Sequence, residues 1–169
     1  MPKTLPPLIS SSYQRHLEGF QAAHQDPAWL TRRLTDFPEY HLFTEHLQLL
    51  WGTSDFVGEQ CESYPEMFEQ LVESGDLQRS YSREDFQEAI DQRLLSREQG
   101  SNGEALNEEL LATHLRLFRR REQMRIIWRD FSRQASMPDT TRELLWMAEA
   151  SITASLVVLP PITCEQLGA

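Results

Sequence analysis

Leu115-Arg116-Leu117-Phe118-Arg119-Arg120-Arg121-Glu122-Gln123-Met124-Arg125-Ile126-Ile127-Trp128-Arg129-Asp130 is the stretch that decides the fold. From Leu115 to Arg133 the chain carries seven arginines in nineteen residues, yet no Gly or Pro, and its apolar residues keep a helical spacing. A solvated basic tail does not interleave Leu, Phe, Met, Ile and Trp with its charges. A helix that buries more than one side does. The pattern extends outward from Glu104 to about Ala135. Roughly 30 residues at about 1.5 Å each give a helix of about 45 Å. Leu110, Leu117, Met124 and Phe131 recur every seven residues, and Leu106, Thr113, Arg120 and Ile127 form a companion row. Thr and Arg break that second row, which marks a bundle seam instead of a free coiled coil. Leu111, Leu115, Phe118 and Ile126 lie on roughly the opposite side. A helix apolar on two sides belongs inside a bundle.

The rest of the chain reads as shorter helices separated by breakers. Asp26-Pro27 is a cap followed by proline at a first helical position. Asp36-Phe37-Pro38 opens a helix bearing Tyr40, Phe43, Leu47 and Leu50. Ser54-Asp55 caps a short helix through Cys61; Pro65 starts the next, with Met67, Phe68, Leu71 and Val72, and Gly75 stops it. Ser82-x-x-Asp85 is a capping-box variant ahead of Phe86, Ile90 and Leu94. Gly100 to Gly103 is a loop, Pro138 ends the long helix, and Thr140-x-x-Glu143 caps a last helix running to Pro160-Pro161. The expectation is an all-α fold, an irregular bundle of about six to eight helices around one long central helix. Residues 1–10 form a flexible arm, 11–159 the helical domain, and 160–169 a tail.

Composition excludes several classes. A chain of 169 residues with 40% hydrophobic and 25% charged residues fits one soluble globular domain. The net charge is −10, and Lys3 is the only lysine. Seven arginines against Glu122 and Asp130 give Leu115–Arg133 a charge of +5, so the remainder carries −15. Phosphate affinity comes from accumulated positive charge, which argues against a nucleic-acid partner. Cys61 and Cys164 are too few for a disulfide scaffold or a cysteine metal site. No signal pattern opens the chain, and the apolar stretch Ile152–Leu159 is far short of a membrane span. A cytoplasmic protein with no membrane partner follows.

Catalytic constellations are hard to assemble. Gly52-Thr53-Ser54-Asp55-Phe56-Val57 superficially matches a nucleotidyltransferase Gly-Ser-Asp strand, but that chemistry needs two carboxylates two residues apart, and Val57 holds the second place. A helix cap explains it. His41 and His46 are five apart around Glu45, whereas the zinc-protease pattern needs an i, i+4 pair. No phosphate loop, Ser-His-Asp set or Cys-His set emerges. The arginine helix is the serious candidate: Arg116, Phe118, Arg119, Glu122, Arg125, Trp128, Arg129 and Asp130. One reading is a solvated face of weak i, i+3 pairs. The other has Glu122, Arg125 and Arg129 projecting among Phe118 and Ile126 and pairing with another element, a role suited to the planar guanidinium fork.

The same residues carry a resemblance. The bifunctional glutamine synthetase adenylyltransferase/adenylyl-removing enzymes share a pattern reading roughly L-R-R-F-R-R-R-E-M-L-R-I-A-W-R-D-L. Arg116, Phe118, Arg119, Glu122, Arg125, Ile126, Trp128, Arg129 and Asp130 stand where it expects them; Leu117 and Gln123 depart from it. Trp51 to Val57, Tyr64-Pro65 and Leu71 to Leu77 resemble the family's early segment, and Thr140-Thr141 with Leu144, Ala148 and Glu149 its later helix. The resemblance spans roughly Trp51 to Leu159 and favours the second reading of the arginine helix. The family's G-S-D-I-D-L strand, whose carboxylates hold Mg²⁺, and its Gly-Met-Gly-Lys-Leu-Gly-Gly loop have no counterpart here. The resemblance therefore implies an N-terminal helical portion lying before the first nucleotidyltransferase domain. It implies no catalytic residue, cofactor site or metal site in this chain. For the parent enzyme it implies ATP and Mg²⁺, the downstream nucleotidyltransferase domain as partner, glutamine synthetase as substrate and a PII-type protein as regulator. The parent attaches AMP and removes it by phosphorolysis. A free-standing helical protein–protein interaction or regulatory module is the alternative from another class.

Overall fold

The computed structural model describes residues 6–36, 41–98 and 107–167, and among these every regular element is helical. The helices are α1 (Pro7–Ala23), α2 (Trp29–Asp36), α3 (His41–Thr53), α4 (Asp55–Ser63), α5 (Pro65–Glu73), α6 (Arg83–Glu98), α7 (Glu108–Phe131) and α8 (Met137–Leu167), with a 3₁₀ turn at Asp76–Gln78. The all-α expectation stands. Contacts divide the chain into two units, Met1–Gln78 with Ile127–Gln134, and Arg79–Ile126 with Ala135–Ala169. One boundary falls inside α7, where no Gly or Pro marks it, so composition gives no sign of it.

In the first unit α1 packs on α3 and α4. Two glycines permit that approach. A Cβ on Gly52 would lie 2.2 Å from Ile9 Cγ2, and one on Gly58 would lie 2.3 Å from the His16 ring. Beneath α1 an aromatic core forms. Phe20 meets Phe68 edge-on at 5.7 Å and Trp51 at 5.6 Å, and Phe43 stacks on Trp128 at 5.1 Å. Leu30, Leu47, Leu50, Cys61 and Leu71 are fully buried around them. Burial pushes the Cys61 thiol far above its ordinary value.

The second unit is built from α6, α8 and Glu108–Ile126 of α7. Its core holds Tyr81, Phe86, Ile90, Phe118, Ile126, Met147, Ala150 and Ala154.

Several boundaries follow the sequence chemistry. The Ser54 side chain accepts from the Val57 amide, Pro65 opens α5, and Gly75 follows it at φ 74°. At α6 the capping box is reciprocal, with Asp85 N donating to Ser82 Oγ at 3.1 Å and Ser82 N to Asp85 Oδ2 at 2.7 Å.

Other boundaries correct the reading. The arm placed over residues 1–10 already contains the first turn of α1, because a proline at that position gives up only an amide the helix does not use. Asp26 organises a turn, accepting from Ala28 N at 3.1 Å, and α2 begins later, at Trp29. The expected opening at Phe37-Pro38, with Tyr40, and the expected start at Glu104 lie outside the described residues. Asn107 caps α7 through Leu110 N at 2.9 Å. The far end of α7 closes at Phe131, short of Ala135, in a Schellman turn: Gln134 N bonds Arg129 O at 2.8 Å and Arg133 N bonds Asp130 O at 3.0 Å. Arg133, at φ 57°, occupies the left-handed position usually filled by glycine. The cap of α8 is Ser136 with Asp139, not Thr140 with Glu143: Ser136 N donates to Asp139 Oδ2 at 3.2 Å and Asp139 N to Ser136 Oγ at 3.4 Å. Pro138 thus opens α8 instead of ending α7. The backbone of α8 passes the expected stop at Pro160 and Pro161 and runs to Leu167; proline's φ of about −65° is compatible with a helix, although each ring removes a donor and crowds the carbonyl four residues back. α8 is the longer helix, at 31 residues against 24 for α7.

Candidate functional site

Within the second unit, α7 turns Phe118, Glu122, Arg125 and Ile126 inward, and each is 2% exposed or less. Two of these carry charge. Removing an ion from water is costly unless it is paired and hydrogen-bonded, so the cluster must be internally satisfied. It is built accordingly. Arg125 Nε donates to Glu122 Oε2 at 2.8 Å, one turn back on α7. Arg125 Nη1 donates to the Arg79 carbonyl at 2.8 Å, in the segment leading into α6. Arg125 Nη2 lies 2.8 Å from Glu143 Oε2 on α8. That last approach is a charge contact whose N–H direction misses the line of a hydrogen bond. Glu143 Oε1 accepts from Ser80 Oγ at 3.2 Å.

The guanidinium face is used as well as its edges. Its carbon lies 3.8 Å from the Tyr81 ring centroid and 5.1 Å from that of Phe86. Arg121 Nη1 reaches Glu122 Oε1 at 2.5 Å. Burial opposes the Arg121 charge, but the Glu122 carboxylate and Tyr81 outweigh it, and its pKa is raised. Burial and the neighbouring Arg121 push Arg93 down, with Glu122 working the other way.

The candidate residues therefore separate. Glu122 and Arg125 join α7 to α8 beside Phe118. Trp128, 2% exposed, belongs to the first unit, stacked on Phe43 and 6.2 Å from Phe68. Arg129 is buried in that unit at 5% exposure. Arg116, Arg119 and Asp130 are exposed, and Arg116 Nη2 donates to Thr113 Oγ1 at 2.9 Å.

Sequence reasoning missed Glu143, Tyr81, Ser80 and the Arg79 carbonyl. Glu143 had a signal: with Met147, Ala150 and Ala154 it continues the buried stripe of α8 at helical spacing, so a carboxylate occupies a core position.

Two other places hold polar groups together. His16, fully buried, has Nδ1 2.5 Å from Glu62 Oε1 and Nε2 3.2 Å from Asp55 Oδ1. Asp55 also accepts from Arg15 at 2.5 Å, and His16 first, then Arg15, hold its carboxyl below the usual range. A cavity of about 550 Å³ in the first unit is bounded by Phe43, His46, Leu77 and Trp128. Burial lowers the His46 pKa, with Glu45 opposing. Among the described residues no group of three or more His, Cys, Asp or Glu side chains could hold a metal ion. No helix among them is long and apolar enough to cross a membrane.

Comparison with known proteins agrees with the motif. The family model described as glutamate-ammonia ligase adenylyltransferase matches residues 44–169. A bifunctional glutamine synthetase adenylyltransferase/adenylyl-removing enzyme of Pseudomonas syringae pv. tomato is 43% identical over 117 residues, 69% of this chain and 11% of that protein. The protein of the same description from Nitrosococcus oceani is 31% identical over 164 residues, 97% of this chain and 16% of its own length. That from Pseudomonas putida is 30% identical over 171 residues, 99% and 16%. The chain thus spans well under a fifth of the length of the relatives it matches. No solved structure matches.

Proposed function

Since this chain belongs to the glutamate-ammonia ligase adenylyltransferase family, we propose that it is the N-terminal helical segment of an enzyme that attaches AMP to glutamine synthetase and removes it, and that it serves there as a non-catalytic scaffold. ATP and Mg²⁺ would be used by the adjoining nucleotidyltransferase domain, in the cytoplasm, under a PII-type regulator. One observation carries the scaffold reading. Arg125 is fully buried, with Nε and Nη1 hydrogen-bonded to Glu122 and the Arg79 carbonyl, Nη2 in charge contact with Glu143 and its face against Tyr81. The residue at the centre of the family signature is thus engaged in joining α6, α7 and α8. Burial on every side keeps it out of reach of a phosphate or a substrate carboxylate. Calorimetric titration of the 169-residue chain with Mg-ATP tests this. No specific heat is expected, and micromolar binding would overturn the reading.

A further inference from the structure

The outer side of α8 is out of keeping with the rest of the surface. Leu145 is 65% exposed, Ile152 61% and Leu156 69%, and Ala148 lies exposed between them. Their spacing of three, four and four residues keeps them on one side of the helix. Leu144, 41% exposed, widens the stripe. No charged residue occurs from Ala150 to Cys164. The opposite side of the same helix is already buried through Met147, Ala150 and Ala154. α8 is therefore apolar on two sides, the pattern of a helix interior to a larger assembly.

Size and charge narrow what can cover it. The stripe amounts to roughly 500 Å², at the upper end of patches on monomeric proteins and characteristic of contact sites. A stable dimer needs about 800 Å² per partner, so a second copy is poorly served. A lipid surface would be met by cationic residues, yet Arg142 is the last basic residue of the chain. A partner on the same polypeptide needs far less area, because tethering supplies an effective concentration of about a millimolar. The relatives provide such polypeptide, since this chain matches at most 16% of the three compared above. We infer that the Leu145–Ala148–Ile152–Leu156 face is an intramolecular docking seam, covered by an apolar helical face from the remainder of the enzyme. This rests on the function proposed above.

The test begins by reading the gene past Ala169 and producing both the 169-residue chain and the complete polypeptide. Each carries Leu156→Cys with Cys164→Ser, and the buried Cys61 stays silent. Maleimide should label position 156 rapidly in the short chain and at least about 30-fold more slowly in the complete protein, as expected of a site closed to solvent. Equal rates overturn the seam and leave the family function untouched. A reading frame ending at Ala169 overturns both. As a second readout, Leu145→Glu/Ile152→Glu/Leu156→Glu should leave the melting temperature of the short chain unchanged and lower that of the complete protein by several degrees. Concentration-dependent dimerisation of the short chain in sedimentation, or its flotation with phosphatidylserine vesicles, abolished in either case by the triple substitution, would assign the face to another occupant and overturn the proposal.

Discussion

Replacing Arg125 with alanine removes a cation that touches Glu122, Glu143 and the Arg79 carbonyl at once. Arg121 still faces Glu122, while Glu143, 2% exposed, loses the guanidinium and keeps the Ser80 hydroxyl. Breaking a buried pair from one side typically costs about 3–5 kcal/mol. A loss of about 3–5 kcal/mol is therefore expected at pH 7.

That figure includes the lost stacking on Tyr81, of about 1 kcal/mol. Urea unfolding at pH 7, followed by tryptophan fluorescence and circular dichroism, measures it. The exposed Arg119→Ala serves as control and should stay within about 0.5 kcal/mol of the parent. An Arg125→Ala deficit inside that same range would refute the reasoning.

Arg133→Gly should raise the urea midpoint, by about 1 kcal/mol in stability, because an L side chain at φ 57° carries a steric cost that glycine lacks; an unchanged or lower midpoint contradicts the Schellman assignment. Acid should destabilise the fold. The Asp55 carboxyl is held low by His16 and then Arg15, that of Asp85 by the Ser82 amide, and that of Asp139 by the Ser136 hydroxyl. Folding favours their ionised forms, so their contribution is complete above about pH 4 and is lost as pH falls through the depressed values. Asp55→Asn with Asp85→Asn should flatten that acid limb, and an identical limb in the double variant counts against these contacts.

Local chemistry was legible where it is local. Ser54, Ser82 and Pro65 act as their types suggest, and periodicity alone places Phe118 and Trp128 inside. Arg125 needed a carboxylate beyond its own helix, since a buried guanidinium demands one, and Glu143 supplies it. The identity of that carboxylate was obscured by a competing local explanation, because Thr140-x-x-Glu143 has the spacing of a capping box while Ser136 and Asp139 do the capping. The end of α7 escaped notice because Arg133 fills a position whose usual signature is glycine. The pairing of His16 with Asp55 and Glu62 joins residues 39 and 46 positions apart, and no local pattern announces it.

The seat of α1 bears on the order of folding during synthesis. The helix is made before its seat: Gly52 and Gly58, which admit it, and Asp55 and Glu62, which receive His16, come 39 to 46 residues after the side chains they meet. Domains emerge from the ribosome from the N-terminus onward, at about 5–20 residues per second. For some seconds the nascent α1 therefore carries Phe20 and His16 with no surface to bury them. A helix of 17 residues is marginal on its own, so it consolidates only when α3 and α4 arrive. The first unit closes through distant contacts and not by accretion from its beginning.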